Sequence, residues 1–150
     1  MAIIARVYAQ QMQMMGEQLA EAHYKEVPYG QAKLALDMDY QKYQLLEDSG
    51  YLLILAALEQ NKVVGYIVVV TNPMLHHKDK YMAITDSFYV DPAYRNSGIF
   101  KELLEEAARL CKEAGVVSFR VGVNMNNPAP EKILQQLGYR EAERLYEVEF

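Results

Sequence analysis

The stretch Tyr89-Val90-Asp91-Pro92-Ala93-Tyr94-Arg95-Asn96-Ser97-Gly98-Ile99-Phe100 joins two unlike patterns. Before it, residues 82–90 read as an apolar strand that Asp91-Pro92 stops. After it, Ile99, Phe100, Leu103, Leu104, Ala107, Ala108, Leu110 and Cys111 recur at helical spacing. Asn96-Ser97-Gly98 opens that helix with Ser97 as its expected N-cap, and Gly115 stands where a C′ glycine belongs. A helix start carries unpaired N–H groups and the positive end of the helix dipole. That combination binds anions, phosphate most often. Gly98 lets a ligand approach the backbone, and Arg95 adds a fixed positive charge able to pair with phosphate. The same residues also make an ordinary helix start, so spacing alone leaves both readings open.

Working outward, Ile3, Ile4 and Val7 suggest a short first strand, and Met12, Met15, Leu19 and His23 one face of a helix. Residues 27–30, Val-Pro-Tyr-Gly, break that helix. Ala35, Met38, Lys42 or Tyr43, and Leu46 suggest a second, closed by Asp48-Ser49-Gly50. Residues 51–58 and 63–70 are continuous apolar runs around a polar turn, the pattern of an antiparallel hairpin buried inside a sheet. A polar loop over 71–80 precedes the strand at 82–90. Beyond the long helix come a strand at 116–123, a short helix at 130–137 stopped by Gly138, and a last strand at 145–150. This order predicts an α/β (α+β) fold with a mixed sheet, and not a doubly wound parallel one.

Composition narrows the function classes. A chain of 150 residues is expected to form one domain, residues 1–150. Fifteen Lys and Arg against 20 Asp and Glu give a net charge of −5, which disfavours broad nucleic-acid binding. Cys111 stands alone, which excludes an intramolecular disulfide and a multi-cysteine zinc site. No apolar run approaches the ~20 residues of a membrane span, and no basic segment with an apolar core opens the chain. The expectation is a cytoplasmic protein with no metal, no membrane partner and no nucleic-acid partner.

The run from Tyr89 to Ile99 resembles the acetyl-CoA-binding motif of the GNAT superfamily of N-acetyltransferases. That motif is a strand ending in Val, an Asp-Pro-x-Tyr turn, then Arg-x-x-Gly-x-Gly/Ala at a helix start. Asn127-Pro128-Ala129 and Leu137-Gly138-Tyr139 resemble the family's Asn-x-x-Ala and Leu-Gly-Phe in the same order. The resemblance implies a GNAT fold of about six to seven strands flanked by about four helices. It implies acetyl-CoA as cosubstrate and direct transfer of the acetyl group to an amine acceptor. The backbone of Arg95, Asn96, Ser97, Gly98 and Ile99, continuing to Phe100, would hold the pyrophosphate. Phe88, Tyr89 and Val90 would pair by main chain with the pantetheine arm, Val90 N–H would donate to the thioester oxygen, and Asn127 would contact that arm. Two positions depart from the pattern. Phe100 replaces the family's small residue, with the core as its alternative destination, and Leu134 stands where many relatives carry a tyrosine acid.

The amine must lose its proton before it attacks. Asp86, four residues before Val90, is the candidate base, or else a hydrogen-bonded structural carboxylate. Alternation along a strand would place Asp86, Phe88 and Val90 on one face. Tyr139 is the tyrosine nearest in sequence to the family's acid position, and packing is its other role. His23 and Cys111 read as core, and His76 and His77 as a solvated pair or a substrate-side lid. Tyr24, Tyr29, Tyr40 and Tyr43 fit an aromatic wall for a cationic amine, or a core margin or dimer contact. Glu17, Glu21, Glu26, Asp37, Asp39, Glu47 and Asp48 read as a solvated acidic face that would also attract an amine. The function expected is transfer of an acetyl group to a primary amine of a small molecule. The alternatives are a protein acetyltransferase acting on lysine or an N-terminus, and a CoA-binding interaction module. A homodimer is compatible with the exposed last strand.

Overall fold

The computed structural model describes residues 1–27 and 34–150. Tyr29 and the expected break at 28–30 lie outside the described residues. The elements are β1 (Ile3–Val7), α1 (Ala9–Met15), α2 (Glu17–Glu26), α3 (Tyr40–Asp48), β2 (Leu52–Glu59), β3 (Lys62–Pro73), β4 (Tyr81–Val90), α4 (Ile99–Glu113), β5 (Ser118–Arg120) and α5 (Ala129–Gln136). A 3₁₀ turn at Pro92–Tyr94 separates β4 from α4. The strands lie in the order β1-β2-β3-β4-β5. Neighbours are antiparallel up to β4, and β5 runs parallel to β4.

The two apolar runs read from the sequence form β2 and β3. Gln60 and Asn61 both take positive φ, 50° and 62°, between them. Two such residues turn a hairpin in the hand that matches strand twist. Both faces of this hairpin are covered, which is why its strands are continuously apolar and not alternating. On one face Leu55, Ala57, Val64, Ile67 and Val69 meet Ile99, Leu103, Leu104, Ala107 and Cys111 of α4, with Leu134 of α5. On the other, Ile54, Ala56, Val63, Tyr66 and Val68 meet Val7, Met12, Leu19 and Tyr89. Buried Glu47 ties α3 to α1: its Oε1 accepts the N–H of Ala9 at 3.0 Å, at the positive end of α1.

Several boundaries differ from expectation. The first helix is two, because Gly16 ends α1 and starts α2. A Cβ there would lie 3.1 Å from the Met12 carbonyl oxygen and 2.6 Å from its methyl carbon. The second helix begins only at Tyr40, where Asp39 caps it by accepting the Lys42 N–H at 3.1 Å. Among the described residues there are five strands, not six to seven, and five helices, not four. The apolar spacing at 145–150 is present, but the segment pairs with no strand. Leu145, Tyr146, Val148 and Phe150 stand exposed. The expected strand at 116–123 is cut to three paired residues, Ser118–Arg120.

Leu104 is fully buried between α4 and the sheet. Leu104→Ala is expected to destabilise the chain by about 3 kcal/mol through lost burial and a residual cavity. Urea unfolding with an unchanged m-value measures it.

Candidate active site

The two edges of β4 are treated differently. Asp91 N–H donates to Val64 O at 2.9 Å, and Tyr89 stands opposite Tyr66. Hydrogen-bonded and non-bonded pairs alternate along an antiparallel ladder. The N–H and C=O groups of Phe88 and Val90 therefore point away from β3, toward β5. There the ladder covers only Met82–Ile84 against Ser118–Arg120. Past Arg120 the link is Gly122 N–H to the Thr85 hydroxyl, at 2.9 Å. The end of β4 thus presents an open main-chain edge running toward the start of α4, with the Val90 carbonyl taken by Arg95 Nε at 3.0 Å.

That start is built on two left-handed residues, Asn96 at φ 63° and Gly98 at φ 88°. Gly98, and not Ser97, is the N-cap. Ser97 Oγ is instead bonded to the Tyr94 carbonyl, which closes the turn. A Cβ on Gly98 meets nothing within 4 Å, so backbone conformation and not crowding calls for glycine. The first bond inside the helix is Glu102 N–H to Gly98 O, at 3.0 Å. The N–H groups before it face outward from the helix end. Phe100 turns inward and packs on Phe88, ring centroids 4.9 Å apart. Asn127 sits exposed in the turn before α5, its N–H bonded to Asn124 O at 2.9 Å.

Arg95 does not present a free charge. Its Nη2 pairs with Glu26 Oε2 at 2.8 Å, its Nε donates to Val90 O at 3.0 Å, and its guanidinium lies 5.2 Å from the Tyr89 ring centroid. Tyr89 OH donates to the same Glu26 oxygen at 2.5 Å. The Arg95 guanidinium, and then the Tyr89 hydroxyl, hold the Glu26 carboxyl down at about 2. Burial, and then the bond to Glu26, push the Tyr89 phenol up to about 12. Arg95 thus joins the helix-start loop to α2, and it is the loop's main chain that faces outward.

Asp86 sits on a bulge. Val68 pairs with Ser87 and Val69 with Thr85, which leaves Asp86 as the extra residue of β4. The bulge resets the alternation. Phe88 and Val90 pack on the α4 side. Exposed Asp86 is within electrostatic reach of His23, Tyr43 and Tyr66 on the side of α2 and α3. The expectation of one shared face for the three residues is corrected accordingly.

On that side His23 stacks on Tyr89 at 4.6 Å and 14°, and its Nδ1 lies 2.5 Å from Tyr66 OH. Burial lowers the His23 pKa more than any other influence; Glu26 and Asp86 pull it up and Arg95 pulls it down. Burial pushes the Tyr43 phenol up to about 12, and Tyr43 rings with Tyr40 at 5.9 Å. His23 is packed and hydrogen-bonded as its place on the apolar helix face implies, whereas Glu26 is ion-paired to Arg95 and not simply part of a solvated acidic face. Spacing carries no sign of the Glu26–Arg95 pair, whose members are 69 residues apart. Tyr139 is half-buried edge-on against Phe119, which pairs with Ala83 on the early half of β4. Leu134 is buried in the core. His76 and His77 are exposed, and burial raises the Cys111 thiol. Among the described residues no group of three or more His, Cys, Asp or Glu is placed to hold a metal ion, and no helix is long and apolar enough to cross a membrane.

The site thus combines a mixed five-stranded sheet, a fourth strand that parts from the fifth, and a glycine-capped helix start beside the gap. The acetyltransferase (GNAT) family model matches residues 14–139, and the chain belongs to that family. The fold is similar to an aminoglycoside acetyltransferase from an uncultured soil metagenomic sample, with TM-score 0.80, 17% identity, and 100% of this chain and 99% of that one covered. It is also similar to a ribosomal-protein-alanine N-acetyltransferase from Brucella melitensis biovar Abortus 2308, with TM-score 0.72, 17% identity and 99% of each chain covered. A third similar structure is an aminoglycoside N-acetyltransferase in complex with CoA, with TM-score 0.70, 14% identity, and 100% of this chain and 95% of that one covered. No curated protein matches the sequence.

The Glu26–Arg95 pair sets an acid limb on stability. The Glu26 carboxyl lies at about 2 in the folded chain against 4.5 for a free glutamate. A depressed carboxyl pKa stabilises the fold fully above 4.5 and loses that contribution as pH falls toward 2. Glu26→Gln is expected to flatten the fall of the melting temperature over that window, which thermal melts at stepped pH record. The effect is expected to be small, because the pair is partly exposed to solvent.

Proposed function

We propose that this chain transfers the acetyl group of acetyl-CoA to a primary amine of a small molecule. The observation that carries the reading is the open edge of β4, which leads from Phe88 and Val90 to the outward N–H groups at the start of α4. An extended amide-bearing arm matches the first and a pyrophosphate the second. In this reading the backbone of residues 95–100 cradles the pyrophosphate, with Asn127 beside the arm. Val90 N–H donates to the thioester oxygen as charge develops on it.

The amine approaches from the side of α2 and α3. Asp86 there supplies the negative charge that attracts an ammonium and helps draw off its proton. The half-buried rings of Tyr40 and Tyr43, 5.9 Å apart, suit a cation. A small acceptor is favoured because two of the similar folds are aminoglycoside acetyltransferases. The ribosomal-protein-alanine enzyme of the same fold keeps an N-terminal amine as the second reading. Positioning of the two substrates supplies most of the rate. With Leu134 in the core and Tyr139 against Phe119, the departing thiolate takes its proton from water.

Calorimetric titration with acetyl-CoA tests the cofactor site. One-to-one binding is expected, lost in Gly98→Trp while its circular dichroism stays that of the parent. Absence of heat from the parent protein overturns the reading, and binding without turnover on any amine or peptide points to an interaction module. Asp86→Asn is expected to lower kcat about tenfold or more with acetyl-CoA affinity unchanged. A variant at full speed removes Asp86 from the reaction.

A further inference from the structure

Between α2 and the sheet lies a titratable group that the reading above leaves unused. His23 comes from the C-terminal half of α2 and is half-buried. Three elements besides its own face it. From β3, Tyr66 OH lies 2.5 Å from Nδ1. From β4, Tyr89 stacks on the ring, and Asp86 is within electrostatic reach on its bulge. From the loop before α4, Arg95 is within reach and is paired with Glu26 of α2 itself. The ring is therefore gripped on one nitrogen and on one face. Its opposite nitrogen, Nε2, takes no part in the bond to Tyr66.

We propose that His23 is the proton acceptor for the amine substrate, with Asp86 holding the ammonium beside it and Tyr66 fixing the imidazole tautomer. The inference rests on the transferase reading. The hydrogen bond made by one ring nitrogen decides what the other can do. Tyr66 is a deeply buried phenol 2.5 Å from Nδ1, and in the proposed arrangement Nδ1–H is the donor and the phenol oxygen the acceptor. Nε2 is then left with its lone pair. In the step proposed, the substrate R–NH₃⁺ gives one proton to Nε2, which makes imidazolium and a free amine. The amine nitrogen attacks the thioester carbon, the carbon–sulfur bond breaks, and CoA leaves as the thiolate. The second nitrogen proton is lost to solvent, and the imidazolium returns its own proton to solvent before the next turn. Atoms and charges balance with no reagent beyond the two substrates and water.

Two features suit this ring to the task. An imidazole titrates nearer neutral pH than a carboxylate, and catalytic acid–base groups work best near the operating pH. Burial also holds His23 in its neutral form down to lower pH than an exposed histidine. Glu26 and Asp86 oppose that shift, and they also stabilise the imidazolium once it forms. The Arg95 pairing keeps Glu26 turned toward the helix-start loop.

The test uses the full chain and needs two readouts. The first is independent of turnover. The chain has three histidines, and His76 and His77 are exposed. The nitrogen-15 imidazole spectrum should show His23 protonated on Nδ1 and bare on Nε2, titrating below 6.5. Tyr66→Phe should mix the two tautomers. Protonation on Nε2 in the parent protein overturns the proposal. The second readout is the pH profile of kcat with an amine the parent acetylates. The neutral ring is the active form, so kcat should rise through a limb below 6.5 and hold above it. His23→Asn should lose that limb and about 10²-fold in kcat, with acetyl-CoA affinity unchanged. Asp86→Asn should lose rate and keep the limb. An unchanged limb in His23→Asn overturns the proposal. A parent that binds acetyl-CoA and acetylates no amine overturns the transferase reading, while the nitrogen spectrum still decides the state of His23.

Discussion

β4 has two edges and can be fully paired on only one of them. Its ladder with β3 runs the length of the strand, from Tyr81 opposite Pro73 to Val90 opposite Gly65. Its ladder with β5 stops after three residues. Everything that makes this chain more than a twisted sheet follows from that asymmetry. Buried backbone groups must find partners, so main chain left open at the end of β4 is suited to a ligand that brings its own amides. The helix that follows must start beside the open edge, and the left-handed Asn96 and Gly98 aim α4 back across the sheet. The apolar face of α4 then buries Leu103, Leu104 and Ala107 against the hairpin, which fixes the helix start in place.

The opposite face of the sheet is held by a different kind of contact. Glu26 binds both Tyr89 and Arg95, Tyr89 stacks on His23, and His23 bonds to Tyr66. These links join α2 to β3, to β4 and to the helix-start loop, so the face is tied through polar atoms as well as through apolar packing. Arg95 lies at the centre. Its Nε on the Val90 carbonyl and its Nη2 on Glu26 place one guanidinium between the open edge and the acceptor-side helix. A lysine has no planar fork to make both bonds. The arrangement couples the place where a cofactor would lie to the helix that would meet an acceptor.

The strand end, turn and helix start at 89–100 are legible in the sequence and the cluster on the other face is opaque, for a physical reason. Residues 89–100 are contiguous, and their turn, cap and helix are local structures that residue type largely dictates. The β2–β3 hairpin and α4 were read in the same way, from runs and periods. Glu26, His23 and Tyr66 act together only because the fold brings together positions dozens of residues apart, and no period records that. The bulge at Asp86 was invisible too, since one extra residue in a strand leaves no mark on composition. It still moved Asp86 to the opposite face from Phe88 and Val90. At the chain end, 145–150 carried a strand's apolar spacing without a strand's partner, because spacing reports the capacity to pair and not the presence of a neighbour.

The two departures from the family pattern have one explanation. Phe100 and Leu134 stand where a small residue and a tyrosine were expected, and both turn out to face the apolar side of α4. Phe100 packs on Phe88 and so fixes the strand end whose main chain is open. Leu134 closes the core against α4 from α5. Each places apolar volume on a face that packs against the sheet, and among the described residues no buried side-chain polar atom lacks a hydrogen bond. Leu134 supplies no hydroxyl, and the polar groups on the other face of the sheet, Asp86, His23, Glu26, Tyr43, Tyr66 and Tyr89, come from α2, α3, β3 and β4. If the amine meets that face as proposed, those groups would serve proton removal from the acceptor and not proton delivery to the thiolate, and apolar Leu134 and the cluster around His23 would be two halves of one arrangement.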